Sequence, residues 1–178
     1  MNPSNLTTGD ILLFERGTSH GTFVGRCIRL ITGSKFTHCA LVLITRKGEP
    51  MVLEQDGKVT LKPLSDYTNK TGISVWRNPK ITWEGDPVMM ATTLFLGLPY
   101  GYMNLAECLW KHLVDRLDIK ARVPLLLDRR EIITTCAGLI ANMLMLCTKN
   151  PPAFSVISTV AEPDDFSTNG YVRIGDLS

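Results

Sequence analysis

The chain of 178 residues, 44% of them hydrophobic, is long enough to form one core and short enough to be one domain. Its 19 basic and 17 acidic residues give a formal net charge of +2, which excludes the strongly basic surface typical of nucleic-acid binding. The five cysteines include no CxxC pair, so the sequence predicts neither a disulfide framework nor a zinc site. We therefore expect a single domain, residues 1–178, with no metal and no cofactor.

The polar N-terminal segment and the short apolar runs indicate the cellular compartment of the protein. Residues 1–10 lack the basic and apolar stretches of a signal peptide, and no apolar run reaches the roughly 20 residues of a membrane helix. These features predict a cytoplasmic protein with reduced cysteines and without stable membrane insertion. They leave the oligomeric state open.

The first half of the chain has mainly β-strand character. Short apolar or β-branched runs are bounded by turn-forming residues, and a predicted amphipathic helix at residues 23–31 interrupts them. Two of the runs flank the turn-like residues 46–50 and are expected to pair as a hairpin. The five predicted strands are residues 11–14, 38–44, 51–54, 58–61 and 73–76.

The second half of the chain has mainly helical character. Residues 88–98, 105–117 and 136–147 carry apolar side chains at helical spacing and are longer than typical strands. No repeat or low-complexity tract marks a second domain. The sequence therefore predicts an α+β fold in which an antiparallel sheet of about five strands packs against helices.

Cys136 is the strongest candidate nucleophile. It follows Thr134 and Thr135, and threonine commonly caps helices, so the cysteine is expected in a first helical turn. Free N–H groups and the helix dipole lower the pKa of a thiol at that position. Because most cysteines are simply small buried side chains, the catalytic interpretation requires a base nearby.

His38 is the best candidate for that base, because it begins a predicted strand and its ring could project from the sheet edge toward a helix N-terminus. His20 lies in a loop and His112 on the polar face of a predicted helix, so both are expected to be solvated. Glu54 or Gln55, on the strand paired with the His38 strand, could fix the imidazole tautomer. Strand side chains alternate, so only one of the two shares a face with His38, and the pattern leaves the choice open.

Several short segments in a fixed order carry a family resemblance. They are Gly9–Phe14, Ser34–Val42, Pro50–Glu54, Gly57–Tyr67, Gly97–Tyr100, Thr135-Cys136 and Glu162–Phe166. Together they cover most of the chain and resemble the circularly permuted NlpC-like (papain-like) cysteine hydrolases. The resemblance is strongest to the YiiX branch of that family, which is related to the lecithin:retinol acyltransferase-like proteins.

The resemblance implies a permuted NlpC fold with a papain-like core, in which the histidine strand precedes the cysteine helix. It implies a triad of Cys136, His38 and Glu54, and thereby favours Glu54 over Gln55. His38 would take the thiol proton, Cys136 would attack a carbonyl carbon, and water would release the acyl group from a thioester.

The resemblance also indicates which residues would bind a substrate. The backbone N–H of Cys136 could contribute to an oxyanion hole. Where family members often have Ser and a Glu-like residue after the cysteine, this chain has Ala137 and Gly138, so fewer polar groups are expected beside the thiol. The residues expected to line the cleft are Tyr100, Thr18, Ser19 and Phe23.

Three functions are compatible with these features. The preferred one is hydrolysis of an amide bond in a peptide, a cell-wall fragment or an isopeptide. The second is a lipid acyl hydrolase or acyltransferase. The apolar stripe within residues 105–117 would provide an apolar cleft for it, although such stripes usually pack in the hydrophobic core. The third is a non-catalytic binding domain, motivated by Ala137 and Gly138.

Overall fold

A computed structural model describes residues 3–15, 34–100, 135–151, 163–168 and 170–177. Its centre is a six-stranded sheet in the order β4-β3-β2-β1-β5-β6, in which every neighbouring pair is antiparallel. The strands are β1 (Ile11–Glu15), β2 (Phe36–Ile44), β3 (Pro50–Asp56), β4 (Lys58–Pro63), β5 (Ile73–Arg77) and β6 (Val172–Asp176).

Helices pack on this sheet, so the predicted α+β class is confirmed. Short 3₁₀ turns occur at Pro3–Asn5 and Leu64–Asp66. The α-helices within the described ranges are α1 (Pro87–Leu94), α2 (Cys136–Cys147) and the single turn α3 (Asp165–Thr168). The predicted helices at 23–31 and 105–117 lie outside the described residues. No helix in the described part of the chain combines the length and apolar character needed to cross a bilayer.

The two faces of the sheet explain why its central strands are almost continuously apolar. Ile11, Leu41 and Leu53 belong to a buried cluster that includes the apolar side chains of α2. Their alternating neighbours, among them Leu12 and Val42, pack in a second cluster on the opposite face. Both faces are covered, so strand side chains of either parity are buried.

Two elements differ in detail from the sequence prediction. The sheet has six strands where about five were predicted, because β6 is an edge strand with exposed Val172 and Ile174 and therefore gives no buried apolar run. The helix predicted at 88–98 ends at Leu94. Gly97 then adopts a φ of 83°, and the chain turns to hydrogen-bond with Val59 at the start of β4.

Gly9, two residues before β1, has the tightest surroundings among the glycines in the described part of the chain. Its φ is 100°, a conformation that side-chain-bearing residues rarely adopt. A Cβ at this position would lie 2.5 Å from Nε1 of Trp83. The turn into the first strand therefore requires glycine.

Candidate active site

The N-terminus of α2 presents Cys136. Thr135 is the N-cap, and its Oγ1 accepts a hydrogen bond from the Gly138 N–H at 3.1 Å. Cys136 is thus the first helical residue, where backbone N–H groups have no intrahelical partner and the helix dipole favours an anion. Its side chain is buried together with those of Ala137 and Leu139.

A bulge in β2 lies directly before His38. Phe14 of β1 pairs with His38 while Glu15 pairs with Phe36, so Thr37 is an extra residue in β2. Bulges of this kind bend a strand and re-aim the neighbouring side chain. The pairing of β2 with β3 ends at Ala40 and Glu54, before it reaches His38. His38 therefore lies two residues beyond the last residue pair between β2 and β3.

Glu54 on β3 is hydrogen-bonded to His38. It is opposite Ala40, two residues from His38, so the two side chains are diagonal neighbours on one face. Its Oε2 lies 3.2 Å from His38 Nε2, and both side chains are buried. Gln55 points elsewhere and donates to the carbonyl of Pro99 at 2.8 Å. Of the two alternatives that the sequence left open, Glu54 is therefore the residue that contacts His38.

The electrostatics of His38 couple it to Cys136 as well as to Glu54, so the three triad candidates lie within interaction range of one another. Burial lowers the pKa of His38, but hydrogen bonds and charge from Cys136 and Glu54 outweigh this and raise it from 6.5 to about 10. Hydrogen bonding by the Cys39 thiol and by His38 lowers the pKa of Cys136 well below its usual value, against the opposing effect of burial. The two shifts favour a thiolate–imidazolium pair.

Glu54 is held in its ionised form. Burial raises the pKa of this carboxyl, but hydrogen bonds from His38 and Lys62 bring it well below 4.5. Lys62 Nζ lies 2.6 Å from Glu54 Oε1, the oxygen that His38 does not use. The hydroxyl of Tyr67 is near the same carboxylate and also lowers its pKa, although it makes no hydrogen bond of standard geometry.

Cys39 and Tyr100 complete the surroundings of the thiol. Cys39 follows His38 in β2, and its thiol and backbone lie close enough to Cys136 to lower the pKa of that thiol. Tyr100 is positioned by its own N–H, which donates to the carbonyl of Gly57 at 2.8 Å. Its hydroxyl lies near the side chain and the backbone of Cys136. Burial and the negative charge of Cys136 raise the pKa of Tyr100, so the phenol stays protonated.

The sequence analysis missed Cys39 and Lys62. Cys39 was noted only as part of a strand, although its place beside His38 was a usable signal. Lys62 could have been found from a tight turn at Gly57, since the resulting register sets Glu54 opposite Thr60 and diagonal to Lys62. The predicted cleft residues Thr18, Ser19 and Phe23, like His20 and His112, lie outside the described residues.

Chemically, the site combines a thiol of lowered pKa, an imidazole within interaction range of it and a carboxylate bonded to Nε2 of that imidazole. These are the groups required for nucleophilic attack assisted by a general base. Within the described residues, no three His, Cys, Asp or Glu side chains are arranged to hold a metal ion.

Comparisons with known proteins bear on the fold. No protein-family model matches the chain. The search of curated proteins also found no match. Among solved structures, the chain is similar to the metalloprotein YiiX from Escherichia coli O157:H7, of the family DUF1105. The identity is 19%, the TM-score is 0.51, and the alignment covers 96% of this chain and 97% of YiiX. The likeness therefore extends over nearly the whole length of both chains and shows a shared fold.

Proposed function

We propose that this protein is a cysteine-dependent hydrolase of amide bonds, with Cys136 as nucleophile, His38 as general base and Glu54 as the group that orients His38. The observation that carries the proposal is the contact of Cys136, at a helix N-terminus, with a buried imidazole whose Nε2 is bonded to a carboxylate. The substrate class is a peptide, a cell-wall fragment or an isopeptide. Membership of the permuted NlpC-like family is part of the proposal and is supported by the YiiX-like fold and by the order His, Glu, Cys along the chain.

The reaction would begin with the thiol proton on His38. The Cys136 thiolate attacks the carbonyl carbon, and the carbonyl oxygen gains the negative charge. The imidazolium then gives its proton to the leaving amine as the C–N bond breaks, leaving a thioester. His38 next removes a proton from water, which attacks the thioester and releases the acid and the thiol.

Tyr100 is the second group that would act on the oxyanion. Its protonated hydroxyl lies near the backbone of Cys136, beside the N–H group expected to bind the oxyanion. A substrate carbonyl oxygen arriving there would accept hydrogen bonds from that N–H and from the Tyr100 hydroxyl. Tyr100 would thus compensate for the polar groups that Ala137 and Gly138 do not provide.

A lipid acyl ester is the second candidate substrate, because the chemistry would be the same and large apolar side chains are exposed on α1 and on the C-terminal half of α2. These exposed residues are Met89, Leu94, Met145 and Leu146.

The test is the pH dependence of iodoacetamide labelling at each cysteine, followed by mass spectrometry in the wild type and in His38→Ala. We expect Cys136 to be labelled well below pH 8 and this labelling to be lost with His38. Cys147 is an internal reference, because burial raises the pKa of its thiol and it should stay unlabelled. An inert Cys136 would contradict the proposal and favour a non-catalytic binding domain.

Positive labelling would be followed by turnover assays with amide and lipid ester substrates, using Cys136→Ala as the blank. Faster cleavage of amides is the expected result. Cleavage of lipid esters alone would reject the amide hydrolase in favour of the acyl hydrolase.

A further inference from the structure

The Glu54 carboxylate bridges two groups, and only one of them belongs to the triad. Its side chain is fully buried, whereas that of Lys62 is 40% exposed. Lys62 Nζ lies 2.6 Å from Oε1, and His38 Nε2 lies 3.2 Å from Oε2. Each carboxylate oxygen therefore has its own nitrogen partner. Because Nε2 of His38 bonds to Glu54, the nitrogen that would act as base toward Cys136 is Nδ1.

The protonation of Glu54 decides where the proton of a neutral His38 lies. An ionised carboxylate can only accept, so Nε2 keeps its proton and Nδ1 has a free lone pair for the thiol proton. A protonated carboxyl would instead donate to Nε2, and the ring proton would move to Nδ1. In that state His38 could not act as a base toward Cys136.

A buried carboxylate with only a neutral imidazole beside it tends to take up a proton, because burial penalises its charged form. Tyr67 adds a neutral hydroxyl and no positive charge. Lys62 supplies a charge that is independent of the state of His38, since the hydrogen bond with Glu54 raises the pKa of its ammonium. The ionisable groups around this network are His38, Lys62, Tyr67, Cys136, Asp56 and Asp66.

We propose that Lys62 is a positioning residue of the site: it keeps Glu54 ionised while His38 is neutral. It thereby fixes the ring proton on Nε2 and keeps Nδ1 unprotonated, able to accept the thiol proton of Cys136. The proposal rests on the function proposed above. Lys62 itself contacts neither the thiol nor the substrate and acts through Glu54.

The direct test is the tautomer of His38, read from its ¹⁵N chemical shifts in a Cys136→Ala background over a range of pH. This background removes the thiol, so the measurement does not depend on whether the protein is an enzyme. We expect the Nε2–H form in the parent chain and a substantial Nδ1–H population after Lys62→Met. Lys62→Arg should retain the Nε2–H form, and Lys58→Met, an exposed lysine on the same strand, should also retain it. An unchanged tautomer in Lys62→Met would overturn the proposal.

A second readout uses labelling of Cys136 with iodoacetamide. Lys62→Met should slow labelling at neutral pH by about ten- to a hundredfold, the range expected for a charge-assisted hydrogen bond. In a Glu54→Gln background, Lys62→Met should cause no further loss, because the group through which Lys62 acts is already neutral. An equal loss in both backgrounds would show that Lys62 acts independently of Glu54 and would reject the proposal. If Lys62→Met alone does not fold, a further loss on adding it to Glu54→Gln would still reject the proposal.

The two proposals fail in different ways. Absence of selective Cys136 labelling in the wild type would reject the hydrolase, while the tautomer measurement would still decide the role of Lys62. Selective labelling with an unchanged tautomer would reject the role of Lys62 and leave the hydrolase in place.

Discussion

Replacing Glu54 with glutamine removes a charge from the site while keeping its shape. The glutamine oxygen can still accept the hydrogen bond from His38 Nε2, which is 3.2 Å from the present carboxylate. The amide nitrogen would then face Lys62 and cannot accept from it. Because Lys62 is 40% exposed, its ammonium can turn to water, so the variant should fold.

The expected effect is that the thiolate–imidazolium pair is lost at a lower pH. The pKa of His38 is raised to about 10, in part by the hydrogen bond and charge of Glu54. Loss of a neighbouring opposite charge lowers such a pKa by roughly 1–3 units, each worth about 1.4 kcal/mol. The upper limit of the paired state should therefore move down by roughly 1–2 pH units in Glu54→Gln, because the Cys136 contribution remains.

The assay is the rate of iodoacetamide labelling of Cys136 between pH 5 and pH 11, with His38→Ala as the extreme case. Deprotonation of the His38 imidazolium should appear as a change in the labelling rate near pH 10 in the wild type and at lower pH in Glu54→Gln. Glu54→Gln should also label faster than His38→Ala at neutral pH. Identical profiles for the wild type and Glu54→Gln would refute the electrostatic role assigned to Glu54.

The same variant should alter the acid dependence of folding. The pKa of Glu54 is lowered in the folded state by His38 and Lys62. A carboxyl with a lowered folded-state pKa contributes stability above its unfolded pKa, near 4.5, and loses it as pH falls toward the folded value. The stability difference between wild type and Glu54→Gln, measured by urea unfolding, should therefore shrink from pH 6 to pH 3. A difference that is constant over that range would contradict the buried ion pair.

Three further variants test the surroundings of the site. Thr135→Val removes the N-cap hydroxyl and should lower the free energy of unfolding by about 1 kcal/mol, which lowers the melting temperature by roughly 2–4 °C. The labelling of Cys136 should also slow. An unchanged melting temperature would argue against the N-cap. Cys39→Ala removes a donor to the thiolate, so the pKa of Cys136 should rise and labelling should slow more below pH 7 than at pH 9. Gly9→Ala should cost more in urea unfolding than Gly48→Ala, since both glycines have positive φ but only Gly9 lacks space for a Cβ.

The sequence was informative where a residue's role depends on its immediate neighbours in the chain. Cys136 follows threonines that cap helices, and His38 begins a β-like run, so their local settings could be predicted. The choice between Glu54 and Gln55 depends on register, which the alternation of strand side chains does not define without the exact pairing. The resemblance suggested Glu54, and the structure places that residue against His38.

Features that arise from pairing between distant segments could not be predicted. The bulge at Thr37 exists only relative to β1, and the bond from Lys62 to Glu54 exists only once β3 and β4 are in register. Strand β6 is stabilised by its pairing with β5 rather than by an apolar run of its own. The end of α1 at Leu94 follows from the pairing of residues 97–98 with β4.

The position of His38 and Cys39 near the N-terminal end of β2 also makes the thiol a reporter of folding. The interactions that lower the pKa of Cys136 come from these two residues, which are far from Cys136 in sequence. They exist only while the N-terminus of α2 is docked on the sheet, so any local opening that separates the two returns the thiol to ordinary reactivity. The rate of alkylation at mildly acid pH therefore measures the docked population of α2, a use that requires no substrate.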